Sequence, residues 1–311
     1  EIPPNERNML PKSGTDATSA SQRHKGGGGP SSSSSSSAAG RLSVPSGDTS
    51  YASSSQHHQH HHHHHHLTSS MTPSQYLSRI LDVGQMDFQS ALDQMKTLLT
   101  PQPQRVYKTA YYRKQTKNHW ARDDPAFAAL QIAFLSVASL AYSVAFGSDG
   151  LGGTLTAALG FGLKSILINW LAVGLVTASV CRSISNNHLV VHSSAAHVRQ
   201  RVEFLYAFDI HCNAFFPLFV LIYGVQFFLL PVVLGRGLMA LLLSNALFAA
   251  AFGWYFYVTH LGYRALPFLT NTEVFLFPVA LVVLLFFLNL IGHPFGFGWN
   301  ASRIMAYVYF D

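Results

Sequence analysis

The chain has 311 residues, 20 Lys/Arg against 14 Asp/Glu, a net charge of +6 and 49% hydrophobic residues. Its charges are unevenly placed, because 22 of the 34 charged side chains precede Pro125 and only 12 lie in the 187 residues from Pro125 onward. That second part is about 6% charged, against roughly 25% for a soluble globular domain, which excludes a water-soluble fold for it.

In chain order, residues 1–74 read as a low-complexity tail. Gly26 to Gly29, Ser31 to Ser37 and the run from His57 to His66, broken only by Gln59, lack the apolar content that offsets chain entropy. The expectation here is disorder, with the His tract binding nickel or zinc only as loosely as any polyhistidine. The chain begins at Glu1 rather than Met, so no targeting argument rests on its first residues.

Residues 75–125 form a second unit. Leu77, Ile80, Leu81, Phe88, Ala91, Leu92, Met95, Leu98 and Leu99 recur at threes and fours, which predicts an amphipathic helix between 75 and 99, broken near Gly84. Asp82, Asp87, Asp93 and Lys96 mix the signs of its polar face. Two placements are open: flat on the membrane, or packed against the ends of spanning helices. Pro101 and Pro103 end it. The stretch RVYKTAYYRKQTKNHWARDDP at 105–125 then carries Arg105, Lys108, Arg113, Lys114, Lys117 and Arg122, interleaved with Tyr107, Tyr111, Tyr112 and Trp120. These rings are of the kind that settle at the lipid headgroup level. The same basic and aromatic residues could pair with anionic lipid, or with the phosphates and bases of RNA.

Pro125 opens the first crossing, with Asp123 and Asp124 complementing its positive helix end. Residues 126–146 are 21 residues without a charge, enough for one bilayer crossing. Further spans are expected at about 162–181, 214–234, 238–258 and 274–291, with 292–311 as a short tail. Lys164 either snorkels at the membrane edge or is a buried functional lysine. Counting Lys and Arg in the flank at 105–122 and in the loops gives ten on the N-terminal side, the six named above with Arg182, Arg199, Arg201 and Arg264, and two, Arg236 and Arg303, on the other. The N-terminus is therefore expected in the cytosol and the C-terminus in the lumen. Cys181 and Cys212 would sit at cytosolic span ends, where a disulfide is not expected; Cys181 reads as a buried thiol or an acylation site. The fold class is thus all-α, a polytopic integral membrane protein with five transmembrane helices and a disordered N-terminal tail.

Asp209, His211 and Asn213 in YAFDIHCNAFFP are the main polar cluster at membrane depth. On a helix Asp209 and Asn213 share a face and His211 points elsewhere. One reading makes them a structural cluster, Asp209 or Asn213 capping the third span and His211 bridging to a neighbour. The other makes them the centre of a membrane-embedded enzyme or transporter, which requires a third group such as His260 or Asp124 to converge on them. No catalytic, cofactor or metal residue is assigned, and no cofactor is expected. Asn169, Gln226, Asn245 and Asn289, one in each of spans two to five, read as interhelical hydrogen-bonding groups, and Ala246, Ala249, Ala250 and Gly253 as a small-residue seam. Pro217, Pro231 and Pro278 are candidate helix breaks.

YRKQTKNHWARDDPAF at 112–127, YAFDIHCNAFFP at 206–217 and YFYVTHLGYRALPFLTNT at 255–272 resemble the signature segments of the Unc-fifty family, over about residues 76–311. The resemblance implies a small five-span protein of the Golgi membrane, with the inner nuclear membrane as a second location. It further implies a role in early secretory traffic and in surface delivery of cargo such as nicotinic acetylcholine receptors. Association with Arf exchange factors, and RNA binding, are also implied by it. On this reading Arg105, Lys108, Arg113, Lys114, Lys117, Trp120 and Arg122 are the candidates for partner, lipid or RNA binding. The orientation is tested with cysteine reporters: those in the N-terminal tail should react from the cytosol, and those at 148–153 or after 300 only from the lumen. A C-terminus labelled from the cytosol would overturn the five-span count.

Overall fold

The computed structural model describes Gly84 and residues 86–146, 150–191 and 200–310. The expectations for the tail, the His tract and the helix before Gly84 lie outside these residues. The described chain is helical, without strands apart from one isolated bridge between Val190 and Leu269. Two short helices, α1 (Phe88–Leu98) and α2 (Arg105–Lys117), precede α3 (Ala126–Phe146), α4 (Gly150–Leu189), α5 (Phe204–Val233), α6 (Leu238–Arg264) and α7 (Thr272–Phe295). The last five are long and apolar enough to cross a membrane. A final helix, α8, covers Ala301–Phe310. The all-α, five-span architecture expected from the sequence is what the chain adopts.

The two placements left open for the amphipathic segment are now distinguished. Asp87 caps α1 by accepting from the Ser90 N–H at 2.9 Å, and Ala91, Met95 and Leu98, spaced by four and three, are buried against α3 and α5. Leu98 is also tied by its carbonyl, which accepts from Trp254 Nε1 on α6 at 3.3 Å. Fully burying side chains such as Met95 and Leu98 stabilises by roughly 1.5–3 kcal/mol each, so α1 is held on the bundle. The basic stretch folds as α2, which ends at Asn118 in the left-handed conformation (φ 59°) that Asn tolerates. That reversal sends residues 119–124 back beneath α2 toward the bundle. Asp124 then starts α3, accepting from the Ala126 N–H at 2.9 Å and from the Asp87 N–H at 2.7 Å, so one carboxylate joins the starts of two helices.

Only the first span has the expected bounds. The second is a 40-residue helix that begins at Gly150 instead of 162, because a backbone in lipid must satisfy its own hydrogen bonds and Gly-rich sequence there gains more from helix than it loses in propensity. Lys164 accordingly lies inside the helix and not at its edge. Gly162 abuts Ser139, thirteen residues into α3, which puts Lys164 level with the middle of that helix. The third span starts at Phe204 instead of 214 and keeps Pro217 and Pro231 within it, a π-helical stretch at Val220–Val225 taking up the distortion. The small-residue seam is also corrected: a Cβ at Gly253 would meet nothing within 4 Å, whereas one at Gly262 would stand 2.7 Å from Ile210 and one at Gly174 2.5 Å from the His211 ring. The close approaches of α5 to α6 and to α4 are therefore at Gly262 and Gly174.

Residues 292–310 of the expected short tail are an ordered segment, with α8 folded back onto α4, α5 and α6. All four amides expected as interhelical groups hold it, Asn169 by donating to the Tyr309 hydroxyl at 2.6 Å. Asn245 donates to the Trp299 carbonyl at 2.9 Å and accepts from the Ala301 N–H at 3.0 Å. Asn289 donates to the same carbonyl at 2.7 Å and accepts from the Trp299 N–H at 2.8 Å. Gln226 accepts from Ser302 Oγ at 3.2 Å. Aromatic stacking completes the seat, with Phe310 4.6 Å from Phe146 and Tyr309 4.8 Å from Phe161. Replacing Asn289 with Leu strands the Trp299 N–H, while the Trp299 carbonyl keeps its bond from Asn245, and should destabilise the α8 seat by about 1–3 kcal/mol. Limited proteolysis of the 292–300 link checks this, and unchanged cleavage would show that α8 is held by its rings alone.

Candidate functional site

The densest polar arrangement lies where the chain enters the bundle. Arg122, 8% exposed, donates through Nη2 to Asn213 Oδ1 and places Nη1 3.5 Å from Asp209 Oδ1, while its backbone N–H reaches Asp209 Oδ2 at 3.2 Å. Its guanidinium also lies 4.1 Å from the Phe127 ring centroid. Asp209 and Asn213 can share one cation because they are four residues apart on a single helix face. Neither caps α5, contrary to the sequence expectation, since that helix starts at Phe204 and both residues sit in its interior. Arg113 adds a second cation, with Nη2 3.9 Å from Asp209 Oδ2 and donating to the Trp120 carbonyl at 3.1 Å. Burial lowers the Arg113 pKa from its ordinary value, and the Asp209 charge opposes that shift. Tyr107, whose hydroxyl donates to the Val258 carbonyl at 3.1 Å, has its pKa raised by burial.

The expectation that Trp120 and Tyr107 lie at the headgroup level is corrected: they are 3% and 4% exposed. The Trp120 indole packs among Tyr111, Tyr206 and Phe268, with centroids near 6 Å, and its backbone N–H meets the Glu203 carboxylate at 3.2 Å. Burying an indole is worth about 4–6 kcal/mol at most, more than interfacial contact supplies. Of the predicted cations, Arg122 is buried and Arg113 partly so. Lys114 donates to the Asn118 carbonyl at 2.8 Å and Lys117 pairs with Asp123. Arg105 and Lys108 are exposed and form no ion pair or side-chain hydrogen bond among the described residues. They, with exposed Tyr111 and Tyr112 and the outer parts of Lys114 and Lys117, are what remains of the predicted surface.

His211 belongs to a different network. Its Nδ1 lies 2.8 Å from the Tyr255 hydroxyl and its Nε2 3.1 Å from the Trp170 carbonyl. The carbonyl can only accept, so Nε2 carries the proton and Nδ1 accepts from the tyrosine, leaving neither nitrogen for a metal or a substrate proton. Gln131 extends the network, donating to the Cys212 carbonyl at 2.7 Å and accepting from Trp170 Nε1 at 2.9 Å. Neither proposed third group converges on the cluster: His260 meets the Thr272 carbonyl at 2.9 Å, and Asp124 serves the two helix starts. Among the described residues no group of three His, Cys, Asp or Glu could hold a metal ion. Glu203, Gln131, Trp170 and Tyr255 were not singled out from the sequence. A lone acid before an apolar run and one amide in the first span were the available signals.

Asp209→Ala should cost about 3–5 kcal/mol, because it leaves the Arg122 guanidinium buried without its counter-charge. Asp209→Leu combined with Arg122→Met should recover part of that loss, since the buried Arg122 charge goes with its partner while the partly buried Arg113 still loses Asp209. Thermal unfolding in detergent reads the comparison, and a double variant no better than the single one would show that the pair acts by something other than charge compensation.

A model described as the UNC-50 family matches residues 76–310. Among similar proteins are three named "Protein unc-50 homolog". That from Dictyostelium discoideum is 42% identical over 70% of this chain and 81% of its own. Those from Homo sapiens and Danio rerio are 41% and 38% identical, each over 76% of this chain and 86% of their own. No solved structure matches. The family match spans every described helix, including the Arg122 clamp and α8, and on these grounds the chain belongs to the UNC-50 family.

Proposed function

We propose that the protein is a non-catalytic Golgi membrane protein that supports early secretory traffic, including surface delivery of receptors of the nicotinic acetylcholine type, through Arf exchange factors engaged at its basic end. The N-terminus is cytosolic in this reading and the C-terminus lumenal. The observation that carries it is the polar groove between α1 and α2, about 510 Å³ in volume, lined among others by Asp87, Asp93, Gln94, Arg105 and Thr109. Both signs of charge line it and the exposed rings of Tyr111 and Tyr112 lie on the same helix as Arg105, a combination suited to a protein surface. RNA binding is the weaker alternative, because Arg113, Trp120 and Arg122 are committed inside the bundle and acidic side chains line the groove. An enzyme or transporter centred on Asp209 and His211 has less support, as those side chains serve separate networks, Asp209 with Arg122 and His211 with Tyr255 and Trp170.

Because Arg113 is engaged inside the bundle, the decisive substitutions are at Arg105, Lys108 and Tyr112. Charge reversal to Glu at Arg105 and Lys108, with Tyr112→Ala, should leave abundance and Golgi location unchanged while lowering receptor delivery and exchange-factor capture several-fold. If lipid were the ligand instead, the loss would appear in binding to anionic vesicles at roughly 1 kcal/mol per basic residue. Full receptor delivery by this triple variant would sink the platform reading.

A further inference from the structure

Helices α4, α5, α6 and α8 enclose a cavity of about 510 Å³ within the span region, well inside the ~300–1,000 Å³ of small-molecule sites. Along α5 it runs from His211 to Tyr223, about 18 Å at the helical rise per residue. Phe215, Leu218, Phe248 and Phe252 make its walls apolar. Two of the three π-helical stretches border it, since Asn169 belongs to Lys164–Ala172 and Tyr223 to Val220–Val225. Such wide turns recur at functional sites, and here they loosen the packing where the space opens.

Its mouth faces lipid. Val173, Ile304 and Val308 line the cavity, yet are 47%, 49% and 56% exposed, all apolar and all on span or α8 surface. An occupant therefore enters from the bilayer. The polar groups inside are already paired: Asn169 donates to the hydroxyls of Tyr223 and Tyr309 at 3.0 and 2.6 Å, and His211 is held at both nitrogens. No charged residue lines the cavity.

Just outside stands Lys164. Its ammonium lies 5.7 Å from the ring centroid of Tyr309, a cavity-lining residue, and it forms no ion pair among the described residues. It is exposed and level with the middle of α3, where a lone cation is costly without a counter-charge. A sterol brings no charge to it, and a two-chain phospholipid is larger than the cavity and keeps its phosphate at the membrane surface.

We propose that this cavity binds one single-chain acidic lipid, a long-chain fatty acid carboxylate, with its tail among the α5 and α6 rings and its carboxylate against Lys164 beside Tyr309. The test uses the full chain purified in detergent and a diazirine-bearing palmitic acid. Crosslinks should map to residues 169–177 and 301–309 and should be displaced by unlabelled oleic acid. Lys164→Gln should raise the half-maximal concentration of oleic acid about tenfold, the loss of one charge contact, and Lys164→Arg should preserve it. Val173→Trp should fill the mouth and abolish labelling, with the variant still monodisperse because that side chain is not part of the core. Crosslinks spread over the lipid face of α7 in the parent protein would overturn the proposal whatever the variants do. So would displacement by cholesterol or phosphatidic acid in preference to oleic acid, or unchanged labelling in a monodisperse Val173→Trp variant.

Discussion

A guanidinium taken out of water at the threshold of the membrane has to be neutralised, and the geometry of the basic end follows from how that is done for Arg122. Asp209 and Asn213 receive it from one face of α5, which fixes the rotation of that helix relative to the entry of α3. The same rotation turns His211 toward α4 and α6, where Trp170 and Tyr255 meet it. Exchanging such a pair for apolar residues is often neutral or favourable, so its contribution is to specificity of packing more than to net stability. Any register that separates Arg122 from Asp209 leaves two buried charges uncompensated. Wrong arrangements are thereby penalised more than the right one is rewarded.

The opposite end is organised by neutral groups. Asn245, Asn289, Gln226 and Ser244 bind the α8 segment through hydrogen bonds alone, with Ser302 N–H donating to Ser244 Oγ at 2.8 Å. Each such bond is weak in isolation, about 0.6 kcal/mol on average between membrane helices. Several converging on one short segment make it a fixed part of the bundle. Charge thus locks the end that meets the larger soluble surface, and amides lock the end whose connecting segments are short.

Much of the architecture was legible because hydropathy and helix period are properties of composition and spacing. The bounds of α3, the stripe of Ala91, Met95 and Leu98, and the number of spans follow from them. What escaped was where polar groups are satisfied. Asp209 looked like a helix start because a carboxylate in an apolar run resembles a cap, and only the arrival of Arg122 from 87 positions away makes it tolerable inside α5. Trp120 looked interfacial from its basic neighbours, whereas the turn at Asn118 folds it inward. Gly253 satisfied a packing motif but faces open space; of the glycines that matter, Gly262 stands in no such motif, and Gly174 stands in one with Ala178 that was not singled out. The residues 292–311 carried no hydropathy signal strong enough to separate a tail from a docked helix.

The seat of α8 has a consequence for biosynthesis. It is built from groups on α5, α6 and α7, and its occupant is the last described helix to be synthesised. Until α8 docks, Asn245, Asn289 and Gln226 lack the bonds it supplies, and a polar group in hydrocarbon without a partner is costly. Docking of α8 pairs them within the same chain, so maturation of this bundle waits on its own late-made segment.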